Sequence, residues 1–106
     1  MSYRYLRIIV FFDLPTETLQ DKREYRRFRK YLLKKGFIML QESVYCRMVL
    51  NATVQGQLIS DLHRNRPASG VVQILSVTEK QFSRMEYLVG SYSGDIINND
   101  KRLIVL

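Results

Sequence analysis

The chain has 106 residues, 46% of them hydrophobic and 25% charged, which suits one globular domain with its own core and leaves no length for a second. Its 17 Lys+Arg against 10 Asp+Glu give a formal net charge of +7. That balance favours a polyanionic partner, nucleic acid rather than membrane, because no apolar run reaches the ~18 residues of a bilayer span.

Residues 4–13, Arg-Tyr-Leu-Arg-Ile-Ile-Val-Phe-Phe-Asp, read as a strand that Pro15 brings to an end. Leu6, Ile8, Val10 and Phe12 point one way; Tyr5, Arg7, Ile9, Phe11 and Asp13 point the other. A strand apolar on both sides belongs inside a sheet covered on both sides. Asp13 then sits at the lip of a buried region, either facing a partner there or capping the loop at 14–16. Arg4 and Arg7 break up the N-terminal apolar run, so no secretory leader is expected and a cytoplasmic location is.

Thr18 is placed to cap a helix, with Asp21 at the third helical position completing a near-match to a capping box. The helix is expected to run to about Lys35 and stop at Gly36. Tyr25, Phe28 and Leu32, with Tyr31 beside them, form its apolar stripe. Arg23, Arg27, Lys30 and Lys34 recur on the opposite face at i, i+4, i+7 and i+11. The segment holds eight basic residues and two acids, Asp21 and Glu24. Like charges stacked on one helix face repel; the face reads as a polyanion surface, with a plain solvated face as the alternative.

Residues 37–40 form a short strand, residues 41–43 a bend, and residues 43–50 a second strand, together an antiparallel hairpin. The alternation is expected to put Val44, Cys46, Met48 and Leu50 inward and Ser43, Tyr45, Arg47 and Val49 outward. The single cysteine, Cys46, excludes an intrachain disulfide and reads as a small buried hydrophobe, not a nucleophile. A second helix starts at Asn51-Ala52-Thr53 and ends near Asn65, with Val54, Leu58, Ile59 and Leu62 buried. His63, Arg64 and Arg66 crowd its C-terminus, where positive charge suits the dipole. Lone His63 has no metal or triad partner in the sequence. After a turn at 67–70 comes a strand at 71–77, with Val72 and Ile74 on one face and Val71, Leu75 and Val77 on the other. Thr78-Glu79-Lys80-Gln81 is a capping box for a short helical turn. Residues 85–89 read as a short edge strand, 90–100 as a polar loop and 102–106 as a final strand.

The order β-α-β-β-α-β plus a C-terminal strand predicts an α+β, ferredoxin-like domain, four antiparallel strands with two helices on one face. The other face stays bare and apolar, which predicts a sheet-to-sheet homodimer. The strand at 102–106 is expected to pair with the partner's sheet edge.

Phe11-Phe12-Asp13-Leu14-Pro15, the basic helix, Lys35-Gly36-Phe37 and Gln41-Glu42-Ser43-Val44-Tyr45 occur in an order and spacing that resemble the CRISPR-associated protein 2 family. The version found in type II systems is the most similar. The resemblance implies a bacterial protein of spacer acquisition, whose homodimer holds duplex DNA together with the CRISPR-associated integrase, protein 1. It also implies a Mg2+-dependent endonuclease acting on RNA or DNA, with the family's catalytic, metal-binding aspartate falling on Asp13. Two carboxylates brought together by the dimer can hold Mg2+ and activate water. Arg27 and Lys30 match basic family positions, Phe37 the apolar position after glycine, and Ser43 the Gln-x-Ser-Val-aromatic stretch. Phe12 stands where family members often have Tyr; Glu24 and Tyr25 stand where arginines are common. Three functions follow: a DNA-holding scaffold with Arg23, Arg27, Lys30 and Lys34 on phosphates, a nuclease using paired Asp13, and a toxin-like ribonuclease or RNA-binding module.

Overall fold

β1 (Leu6–Asp13) occupies the interior of the sheet, as its two apolar faces require. The computed structural model describes residues 5–92. Around β1 it arranges α1 (Leu19–Lys34), β2 (Ile38–Gln41), β3 (Val44–Val49), α2 (Ala52–Arg64), β4 (Val71–Thr78) and one helical turn, α3 (Glu79–Phe82). The strand order is β2-β3-β1-β4 and every neighbouring pair is antiparallel. This is the expected α+β, ferredoxin-like βαββαβ plan.

Local signals set the helix limits. Thr18 Oγ1 accepts from the Asp21 N–H at 3.0 Å while Asp21 Oδ2 accepts from the Thr18 N–H at 3.1 Å, a reciprocal capping box built with Asp. Gly36, at φ +89°, takes the left-handed conformation that ends α1. Asn51 caps α2 through the Val54 N–H at 2.9 Å. Both helices then bury one stripe: Phe28 and Leu32 from α1, Leu58 and Leu62 from α2.

Those stripes form one core with Ile8, Val10 and Phe12 of β1. Phe12 is its aromatic hub, with ring centroids 5.9 Å from Tyr25, 5.4 Å from Phe28 and 5.6 Å from Tyr45. The buried Tyr45 hydroxyl accepts from Arg29 Nε at 2.8 Å, so no polar cost is left in the core.

The alternation expected for β3 is inverted. Register pairs Val10 with Tyr45 and Ile9 with Cys46, so Tyr45 and Val49 face the helices while Val44, Cys46 and Met48 lie on the opposite face. Each set carries large apolar side chains, Tyr45 and Val49 beside Arg47 on one face and Val44, Cys46 and Met48 on the other, so patterning alone does not decide. The arginine on α1 that satisfies Tyr45 does. Cys46 is nevertheless fully buried, and burial pushes its thiol pKa up, as befits a packing residue. Leu50 is exposed and lies outside β3. The edge strand expected at 85–89 does not form: this stretch is exposed chain beyond α3 and pairs with neither β2 nor β4. The strand expected at 102–106 lies outside the described residues.

The sheet face opposite the helices carries Arg7, Ile9, Phe11 and Asp13 from β1. α3 folds over one end of it. Arg7 donates to both Glu79 oxygens, at 3.0 and 2.6 Å, and lies 4.2 Å over the Phe82 ring. The rest of the face is bare: Phe11, Val71 and Leu75 are exposed, as is Met48 across from Arg7 on the β3 side.

Candidate nucleic-acid interface

Asp13 is the last residue of β1, paired in register with Val71 at the start of β4, and exposed. Its carboxylate has no hydrogen bond or ion pair among the described residues, so it does not cap the following loop. Backbone holds it in place instead. The neighbouring Phe12 N–H donates to the Ser43 carbonyl at 3.0 Å, tying the β2–β3 turn to the end of β1. On the other side, a Cβ on Gly70 (φ +91°) would lie 2.8 Å from the Asp13 carbonyl oxygen and 2.8 Å from Leu14 Cδ2. Only glycine allows that approach. Ser43 therefore acts through its carbonyl. Phe37 is a buried core residue whose N–H donates to the Leu32 carbonyl at 3.0 Å.

Among the described residues no three His, Cys, Asp or Glu side chains converge on a metal position. One chain offers one carboxylate. Mg2+ takes one or two protein carboxylates and fills its remaining positions with water and phosphate oxygens. An exposed Asp13 whose oxygens are free of partners among the described residues fits such a donor set.

The cations of α1 divide into two groups. Arg27 pairs with both Glu24 oxygens at 3.2 Å and also donates to the carbonyls of Asn65 and Arg66, at 3.3 and 3.4 Å. It closes the C-terminal end of α2, and its hydrogen bond holds the Glu24 carboxyl below its ordinary range. The expected phosphate contact at Arg27 is thus an interhelix clasp. The acid three residues before it was the available signal. Arg29 is committed to Tyr45, and Lys35 reaches Asp61 Oδ2 at 3.4 Å. Lys22, Arg23, Arg26, Lys30 and Lys34 are exposed and unpaired among the described residues, and Arg23, Lys30 and Lys34 share one face. Those three keep the i, i+7, i+11 spacing, so they form one outward line about 16 Å long at 1.5 Å per residue.

Sequence reasoning missed Asp61. Its carboxylate receives the Tyr31 hydroxyl hydrogen bond, Lys35, and Arg64 Nη2 at 3.2 Å, joining α1 to α2. The Tyr31 hydrogen bond, more than its cationic neighbours, holds Asp61 below the usual carboxylate range. Burial, followed by Asp61 itself, pushes the Tyr31 phenol up. A group depressed in the folded state stabilises above its unfolded pKa and loses that contribution as pH falls through the folded one. Asp61→Asn is therefore expected to lower the urea midpoint at neutral pH, with the gap to the parent closing as pH drops below the ordinary carboxylate range. A gap independent of pH overturns the assignment.

His63 is exposed at the end of α2, with no metal-ligand cluster among the described residues. No helix in the described residues is long and apolar enough to cross a membrane.

Residues 6–85 match the family model described as CRISPR associated protein Cas2. The chain is 46% identical over 101 residues to the CRISPR-associated endoribonuclease Cas2 of Treponema denticola, covering 95% of this chain and 100% of that one. It is equally identical, at 46% over 101 residues, to the protein of the same name from Streptococcus mutans serotype c strain UA159, covering 95% and 93%. A solved structure described as a crystal structure of cas2 superposes with a TM-score of 0.57 at 24% identity, covering 83% of this chain and 90% of that one. That likeness supports the fold.

Proposed function

Because the chain belongs to the CRISPR-associated Cas2 family, we propose that it works in CRISPR adaptation in the bacterial cytoplasm, as a homodimer that holds duplex DNA for the CRISPR-associated integrase. The observation that carries this reading is the division of labour on α1. Arg27, Arg29 and Lys35 are consumed internally, while Lys22, Arg23, Arg26, Lys30 and Lys34 stay exposed, Arg23, Lys30 and Lys34 in one line. That line spans roughly five base pairs at ~3.4 Å each, and such contacts give affinity without reading sequence. The second requirement, a self-complementary surface, is supported by the exposed apolar residues of the open sheet face, Phe11, Met48, Val71 and Leu75.

The test is reconstitution with the integrase and a short duplex. Replacing Arg23, Lys30 and Lys34 by alanine is expected to abolish capture of the duplex, whereas Asp13→Ala retains it. A stripe variant that integrates normally sinks the scaffold reading. Light scattering showing a stable monomer at micromolar concentration removes the homodimer.

A second reading is favoured by the names of the relatives, which are endoribonucleases, and by the free, exposed Asp13 carboxylate. In it the Asp13 side chains of the two copies would hold Mg2+, which when bound would supply an activated water and offset charge on a phosphodiester. Asp13→Ala is expected to remove cleavage of RNA and of duplex DNA in Mg2+ buffer; equal cleavage by the variant would falsify the assignment to Asp13. A base-stacking RNA module has less support. Among the sheet's strand residues, the open face presents one aromatic, Phe11, where stacking platforms use several.

A further inference from the structure

A cavity of about 330 Å³ lies between the C-terminal end of α2 and the start of β4, and neither the α1 stripe nor the open sheet face accounts for it. Phe28, Leu62 and Ile74 form an apolar floor; His63, Arg66 and Ser69 form a polar rim. Gly70 is part of its wall, and Gly70 packs against the Asp13 carbonyl, so the cavity adjoins the end of β1. The volume is at the small end of ligand sites, which run from ~300 to 1,000 Å³.

The electrostatics of the rim favour an anion. No carboxylate is among the described residues that line it. Glu24, the acid of the second turn of α1, is paired with Arg27. A helix C-terminus ordinarily repels anions through its free carbonyls. Here Arg27 takes the Asn65 and Arg66 carbonyls, and Arg66 Nη1 takes that of His63 at 2.7 Å. That last bond also fixes Arg66 at the rim while leaving it further N–H donors. An apolar floor beneath a cationic, hydroxyl-bearing rim matches a flat heterocycle joined to a phosphate.

We propose that this cavity takes one unstacked nucleobase, with the adjoining phosphate on Arg66 and the base edge within reach of Ser69. The proposal rests on the reading of the chain as a nucleic-acid-binding protein. The nucleotide comes either from the frayed end of a bound strand or from free mononucleotide.

Amide chemical shifts of the full chain are followed during titration with deoxyadenosine monophosphate, and separately with inorganic phosphate. Duplex affinity is measured with a blunt end and with one unpaired terminal nucleotide. Shifts centred on His63, Ser69 and Gly70 are expected with the mononucleotide. Arg66→Ala is expected to weaken its binding by about tenfold, and Ala68→Trp, which fills the cavity from an exposed lining position, to abolish it. Thermal melts confirm that both variants fold. A preference for the unpaired end, lost in both variants with blunt-duplex affinity intact, identifies a strand end as the source. Mononucleotide binding without that preference identifies the free nucleotide. Equal shifts with inorganic phosphate, shifts confined to Arg23, Lys30 and Lys34, or no shifts overturn the proposal. Failure to bind blunt duplex counts against the scaffold function, and the mononucleotide titration still decides the cavity.

Discussion

Phe12→Ala is expected to cost about 3–5 kcal/mol of folding stability, the range for emptying a large aromatic from a packed core. The ring sits where three others meet, in edge contact with Tyr25 and Phe28 and tilted against Tyr45. Such contacts each add roughly 0.5–1.5 kcal/mol beyond the area they bury. Domains of this size hold only ~5–15 kcal/mol in total, so this one substitution removes a large share. The cavity left behind is lined by residues of β3 and α1, which the strand register and helix packing prevent from closing in. Phe12→Leu keeps most of the volume but loses the three ring contacts, and is expected to cost clearly less than Phe12→Ala. Urea unfolding of both variants is the measurement. A Phe12→Ala loss no larger than that of Phe12→Leu means that the core repacks and that the hub role is wrong.

Simultaneous replacement of Arg23, Lys30 and Lys34 by alanine is expected to weaken duplex binding by on the order of 10²–10³ at ~0.1 M salt. Each phosphate contact contributes about 0.9 to the slope of log affinity against log salt, which is near a factor of ten at that concentration. Three lost contacts therefore flatten the slope by roughly 2.7. The comparison that gives the experiment its meaning is Arg27→Ala. That side chain is spent on Glu24 and on the end of α2, so its removal is expected to lower the melting temperature and barely alter the slope. The reverse pattern, a slope governed by Arg27 and indifferent to the other three, overturns the division of the α1 cations.

The fold was legible because its signals are local. Thr18, Gly36, Asn51 and the Thr78–Gln81 pair each mark a helix limit by a side-chain or backbone bond a few residues long. The two-faced apolar pattern of β1 placed it inside the sheet. Where both faces of a strand are apolar the pattern stops being decisive, and β3 turned over for that reason. Helical periodicity likewise groups Arg27 with Arg23, Lys30 and Lys34 but says nothing of what lies across from each. The approach of α2 turned Arg27 into a clasp and Asp61 into a three-partner junction. Asp13 was legible as a strand-end carboxylate. That its neighbour Phe12 is tied to the Ser43 carbonyl on one side, and its own carbonyl meets a Cβ-free contact at Gly70 on the other, comes only from register.

The clamp of Arg7 on Glu79 has a mechanical consequence for any second copy that stacks on the open face. Two apolar sheets pressed together can slip along their strands in two-residue steps of about 6.7 Å, since each step restores the same side-chain parity. α3 is a raised ledge at one end of β1, fastened by a bidentate ion pair. Around a two-fold axis running across the strands the two ledges would stand at opposite outer ends. Being symmetry-equivalent, they would both stop the same relative slide, the one that drives each Asp13 end toward the partner's ledge.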